Sequence, residues 1–169
     1  DLCLSSIAGG TDIVSCFTLG NPILPVYKGE LQCLGLGMAV NVFDEQGQEV
    51  PASSSERGEL VCEKPFPCMP IGFYNDTNNE KYLSSYFSRF DNTWAHGDFA
   101  EKIQHEFNGQ PYTSLIIHGR SDAILNPGGV RIGTAEIYRQ VEKVNAVLES
   151  IAVGQTLKHD ASDIRVILF

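Results

Sequence analysis

Two polar loops carry the residue types best suited to holding a ligand. In the run Ile116 to Glu136, Gly119-Arg120-Ser121-Asp122 breaks an apolar strand, and Asn126-Pro127-Gly128-Gly129 forms a second loop before a helix begins near Thr134. Pro127 presets the backbone for a turn. Gly128 or Gly129 can take φ > 0, or let a ligand approach the main chain where a side chain would block it. Each loop also holds an arginine, Arg120 and Arg131, in a chain with only 12 Lys and Arg together. A ligand could there meet bare backbone and fixed positive charge at once, although Asn-Pro-Gly-Gly taken alone is first an ordinary turn.

The elements that must position such loops are short. Leu2 to Ala8 reads as a buried strand delivering Gly9-Gly10-Thr11-Asp12, which on its own is a strand-end turn with Asp12 capping the next element. Leu31 to Cys33, Met38 to Phe43 and Glu59 to Glu63 read as further strands, with a hairpin turn at Asp44-Glu45-Gln46-Gly47. Strands at this spacing predict a small β-barrel or meander. Asn75 to Phe90 reads as a helix with Tyr82, Tyr86 and Phe90 on one stripe and Leu83 beside Phe87, its start capped by Asp76, Thr77 or Asn78. With nothing basic interleaved, that stripe is core packing and not a base-stacking platform.

Trp94 to Ile103 returns to strand around the polar insert His96-Gly97-Asp98, Asn108 to Pro111 turns, and residues 114–118 form the strand that enters the first polar loop. Beyond it, Thr134 to Asn145 reads as a helix burying Ile137, Val141 and Val144. Val147 to Val153 and Ile164 to Phe169 read as strands separated by the loop Lys158 to Asp163, the last of them an edge without a partner. The fold class is α+β, with a domain boundary at Asp122 separating residues 1–121 from 122–169.

Length and a 43% hydrophobic share suit a packed core. A net charge of −9 does not support a nucleic-acid partner, and no apolar run reaches the ~20 residues of a membrane helix. No basic segment followed by an apolar one opens the chain, so a soluble, cytoplasmic protein is expected. Cys3, Cys16, Cys33, Cys62 and Cys68 include no C-x-x-C pair and have no histidine at metal spacing, which predicts reduced core residues and no zinc. His118 reads as a core or loop residue before a general base.

The stretch GRSDAILNPGGVRIGTAEIYRQVE resembles the hinge and adjoining loop of the adenylate-forming, AMP-binding superfamily, in detail its acetyl-CoA and acetoacetyl-CoA synthetases. Gly9-Gly10-Thr11-Asp12, Gly58-Glu59-Leu60-Val61, and Trp94 with His96-Gly97-Asp98 match further motifs of that family in its order. The similarity covers nearly the whole chain. It implies a reaction in which a carboxylate attacks the α-phosphorus of ATP to give an acyl-adenylate, and a thiol, that of CoA, then attacks the mixed anhydride. ATP, CoA and magnesium are the implied cofactors, and their anionic charge calls for local positive charge in an acidic chain, which raises the interest of Arg120 and Arg131.

By the same resemblance, Gly9, Gly10 and Thr11 belong to the nucleotide loop, with Thr11 at a phosphate. Asp12, one methylene shorter than the family's usual glutamate, stands where a carboxylate helps hold magnesium. Asp98 matches the aspartate that accepts both ribose hydroxyls, a task its two oxygens suit. Arg120 and Arg131 match arginines near ribose and phosphate, Asp122 the hinge, and Gly129 the glycine lining the path of the CoA thiol arm. Composition alone would leave Asp98 and Arg120 as a surface ion pair. The bare Gly9, where acetyl-CoA synthetases carry an aromatic residue, implies room for a four-carbon oxo-acid, acetoacetate.

The family's phosphate-binding loop and C-terminal catalytic lysine find no match; neither Lys143 nor Lys158 has the right context. The chain is therefore expected to be a piece of a synthetase, inactive alone and prone to self-association through exposed apolar surface. A non-catalytic nucleotide- or CoA-binding module and an interaction fragment are the other two readings. A Rossmann domain is not supported, since no G-x-G-x-x-G opens a helix after a first strand.

Overall fold

Val40, Val42, Leu60 and Cys62 recur at strand spacing, and all four turn their side chains into one buried layer with Trp94, Phe17 and Leu115. The computed structural model describes residues 4–157 and 160–169, with residues 160–162 described by backbone alone. Leu2, Cys3, Lys158 and His159, on which parts of the sequence reading fall, lie outside the described residues. The chain divides into two compact units, residues 1–117 and 118–169. Asp122, the expected boundary, lies in the second.

In the first unit, β1 (Ala8–Gly10), β2 (Ser15–Leu19) and β3 (Cys33–Leu34) form one sheet in that order. A second follows β4 (Val40–Phe43), β5 (Arg57–Cys62), β6 (Trp94–Phe107) and β7 (Gln110–Arg120), also in chain order, with the last three residues of β7 counted in the second unit. Asn108 at φ 51° and Gly109 at φ 73° supply the two left-handed residues that a two-residue turn between β6 and β7 requires. The expected meander is thus present, but the barrel is not: no sheet among the described residues closes. Outside the ladders, β3 is two residues long and Leu31 makes a single bridge to Leu115, a point contact without the run of staggered pairs that closure needs.

Two expected elements are shorter than their apolar patterns. Leu4 and Ile7 are exposed and β1 starts only at Ala8, because its ladder with β2 ends at the Ala8–Thr18 pair. The helix expected over Asn75 to Phe90 is α1 (Glu80–Tyr86), since Asn75, Asn78 and Asn79 sit at φ 54°, 58° and 58° and break it upstream. Asp76 caps it, its carboxylate accepting the Lys81 and Tyr82 N–H groups at 3.0 and 2.8 Å. Phe90 lies outside the helix and packs edge-on against Phe43.

The second unit holds α2 (Thr134–Val141) and a hairpin of β8 (Ala152–Leu157) with β9 (Asp160–Leu168). The helix ends before Val144, which is exposed and not buried as expected. Pairing from Ala152–Leu168 to Leu157–Asp160 gives β9 the partner that the sequence reading denied it and shortens the expected loop. A bridge between Leu125 and Ile132 closes the loop before α2.

Candidate functional site

The backbone of β2 passes so close to Gly9 that a Cβ there would sit 2.2 Å from the Ser15 carbonyl oxygen and 2.8 Å from the Cys16 Cα. This approach, at an irregularity between Ala8 and Gly9, accounts for the glycine without any acyl pocket. An aromatic residue at Gly9 would require the β2 backbone to move away. At Gly10 the nearest neighbour of an added Cβ is instead the His96 ring, with Cε1 at 3.2 Å.

Ile13, fully buried, anchors the 3-10 turn Thr11–Ile13 and leaves Thr11 and Asp12 at the surface. Val14 closes the turn in the left-handed region at φ 49°. Asp12 does not cap a following element through a side-chain bond. Its Oδ2 accepts a hydrogen bond from the Tyr86 hydroxyl, which ties this turn to the end of α1.

Between β5 and β6 the register runs Glu59–Phe99 and then Val61–Ala95, so Leu60 alone faces His96, Gly97 and Asp98. The polar insert read from sequence is a bulge inside β6, and Gly97 adopts φ 83° within it. The Glu59 carboxylate, 1% exposed, accepts the Gly97 N–H on Oε1 and the Arg89 guanidinium on Oε2.

Trp94 and His96 fall on one face of β6, and the Trp94 indole donates to His96 Nδ1 at 3.4 Å. Because an indole only donates, Nδ1 must accept, which puts the proton of the neutral ring on Nε2. That nitrogen lies 3.6 Å from Asp98 Oδ2. Phe17 meets the His96 ring edge-on at 4.8 Å, and Tyr86 stacks on Trp94 with 3.6 Å between centroids. One continuous series of contacts, Asp12, Tyr86, Trp94, His96, Asp98, thus joins two of the carboxylates singled out in the sequence. The Asp98 side chain is 15% exposed, enough to meet a ligand without being adrift in water.

In the second unit, Arg120 ends β7 and its Nε lies 3.5 Å from Asp122 Oδ1, with the two side chains 54% and 73% exposed. Asp122 lies within the 3-10 turn Ser121–Ala123. The second loop forms the turn Pro127–Gly129 with Gly128 at φ 57°, and the Gly128 N–H donates to Asp163 Oδ1 at 2.7 Å. Arg131 is exposed beyond it. His118 is buried, as expected, with Nδ1 3.8 Å from Glu136, and a Cβ on Gly133 would meet the His118 carbonyl oxygen at 2.2 Å.

Two hollows of about 310 Å³, one beside Tyr27 and Gln32 and one beside Tyr138 and Leu148, contain none of these residues. The candidate groups therefore lie outside both. Cys16, Cys33, Cys62 and Cys68 are free, and burial raises the Cys33 and Cys62 thiols above their usual value, which disfavours a thiolate at either. No cluster of three or more metal-ligating side chains occurs among the described residues. Asp12 offers hard oxygen, and a magnesium ion held by one such carboxylate would keep waters and substrate oxygens as its remaining ligands.

Glu59, Arg89, Tyr86 and His96 were given no site role from sequence, although Glu59 and His96 lie in stretches singled out there. Tyr86 was placed in the core stripe, and its hydroxyl contact to Asp12 spans a separation that no local pattern encodes.

No protein-family model matches the chain. Over 169 residues it is 54% identical to the acetoacetyl-coenzyme A synthetase of Rhizobium meliloti (strain 1021), an alignment that covers all of this chain and 24% of that protein. Among solved structures, acetoacetyl-CoA synthetase from Streptomyces lividans superposes with a TM-score of 0.79 at 42% identity, covering 91% of this chain and 22% of that one. An O-succinylbenzoate coenzyme A synthetase from Bacillus subtilis, in complex with ATP and magnesium ion, superposes with a TM-score of 0.69 at 18% identity over 96% of this chain and 30% of that one, and speaks for the fold alone. The resemblance read from the four motifs is borne out: the homologues are acetoacetyl-CoA synthetases, and the chain spans 23 to 24% of their length.

Proposed function

We propose that this chain is the nucleotide-facing segment of a longer acyl-CoA synthetase, a ligase that activates acetoacetate or a similar short acid with ATP and passes it to CoA. The observation that carries this reading is the bulge in β6, which presents the Asp98 carboxylate beside His96 and the bare Gly10. A carboxylate offers one oxygen to each hydroxyl of a vicinal diol, and Asp98 in this role orients the ribose of ATP. Thr11, exposed on its turn, meets a phosphate. Arg120 and Arg131 offset the phosphate charge, which an otherwise acidic chain must do locally.

Asp12 is the residue that would hold magnesium, which when bound neutralises charge on the polyphosphate. Asp122 is the hinge between residues 1–121 and 122–169, where a short exposed side chain permits a large change in φ and ψ. Gly129 leaves the path of the CoA thiol arm open. The choice of acetoacetate rests on similarity to the named relatives. No described helix is long and apolar enough to cross a membrane, and we place the protein in the cytoplasm, where its cysteines stay reduced. Leu36, Ile71, Tyr74 and Leu148 are exposed, so the isolated chain self-associates, and gel filtration over a concentration series checks this.

The test is pyrophosphate release by the full-length protein that contains this segment. Turnover should depend on acetoacetate and on CoA, and Asp98→Asn should raise KM for ATP. Absence of turnover with acetoacetate and other short acids, or an unchanged KM in Asp98→Asn, overturns the reading. The 169-residue chain alone is expected to release no pyrophosphate.

A further inference from the structure

We propose that Glu59 and Arg89 are positioning residues for ribose recognition: together they fix the bulge that carries Asp98. This rests on the reading of Asp98 as the ribose acceptor. One residue of β5 faces three of β6, so the Gly97 N–H falls outside the regular ladder and needs another acceptor. Glu59 Oε1 supplies it from a site almost closed to water.

A buried carboxylate holds a fixed orientation only when its other oxygen is also satisfied. Arg89 satisfies Oε2, and its guanidinium is held in turn over the Phe90 ring, 5.4 Å from the centroid. Gly97 adjoins both His96 and Asp98, and at φ 83° it is conformationally the freest of the three. Releasing its N–H lets the bulge relax, and the Asp98 carboxylate moves with it. The regular pairs on either side, Glu59–Phe99 and Val61–Ala95, cannot hold the carboxylate, because it lies between them.

The experiment compares AMP with its 2′,3′-dideoxy analogue by titration calorimetry on the full-length protein, because only AMP offers the diol that Asp98 accepts. In Glu59→Gln and Arg89→Lys, AMP binding should weaken about tenfold while the dideoxy analogue binds as before, so the preference between them collapses. Proportional weakening of both nucleotides, or an unchanged preference in a folded variant, overturns the clamp and leaves the pair a merely structural one. Should Glu59→Gln fail to fold, Arg89→Lys, at a partly exposed site, carries the comparison. Asp98→Asn separates the two claims: if it leaves the preference for AMP intact, the ribose reading itself falls. If it abolishes a preference that Glu59→Gln preserves, only the clamp falls.

Discussion

The two units hold their candidate residues in opposite ways. In the first, His96 and Asp98 stand on a strand interior, backed by the buried Glu59 with its Arg89 partner and by a stack of aromatic rings. In the second, Arg120 and Asp122 are more than half exposed, and Arg131 is exposed in a loop held by the Leu125–Ile132 bridge and the Gly128–Asp163 hydrogen bond. Groups fixed by packing can discriminate between ligands that differ by one hydroxyl, because they do not reorganise when the wrong one binds. Exposed arginines attract charge and adapt. In the proposed function, this contrast gives the first unit the part of recognition and the second that of electrostatic assistance.

The largest effect should come from removing what backs the first unit. Trp94 is buried against Phe17, Phe66, Tyr82 and Phe87, so Trp94→Ala should cost about 3–5 kcal/mol, read by urea denaturation followed by circular dichroism. A cost under about 1 kcal/mol would mean that the stack supports nothing. Next, Gly9→Ala meets backbone and should cost about 1–3 kcal/mol, whereas Gly10→Ala meets only the His96 ring and should cost less while weakening AMP binding. Equal stability losses would erase the distinction between a structural and a ligand-facing glycine.

Substitution in the second unit should leave stability alone. Arg120→Ala and Asp122→Ala should each change it by no more than about 0.5 kcal/mol, while Arg120→Ala weakens nucleotide binding in the full-length protein. A stability loss with affinity unchanged would make Arg120 structural and break the contrast. The smallest effect lies in the first unit away from the site. Hydrogen bonds from Lys102, then Asn41, hold the Glu49 carboxyl below its usual value. A depressed folded-state value gives stability that is present above the unfolded value and lost as pH falls through the folded one. Since the Glu49 side chain is 61% exposed, the gain is only a few tenths of a kcal/mol, and the melting difference from Glu49→Gln should vanish in acid.

Motifs and turn chemistry were legible because their causes are local. The Asp44 to Gly47 turn shows this: the Asp44 carboxylate accepts from Gln46 and Gln48, a bond pattern contained within five residues. Helix length was less legible, because apolar spacing ran on through Phe90 while left-handed asparagines decided where α1 begins. The place of the bulge was marked by the polar insert His96-Gly97-Asp98, but its register could not be read. It depends on how many residues of β6 face Leu60, a property of two strands more than thirty positions apart that neither strand carries by itself.

Trp94 is the sole tryptophan of the chain, with a tyrosine ring flat against one side and its N–H committed to His96. Its ultraviolet emission is thereby wired to the group beneath Gly10. Within these 169 residues, any event that shifts that imidazole should register as a change in colour or intensity, with no dye attached.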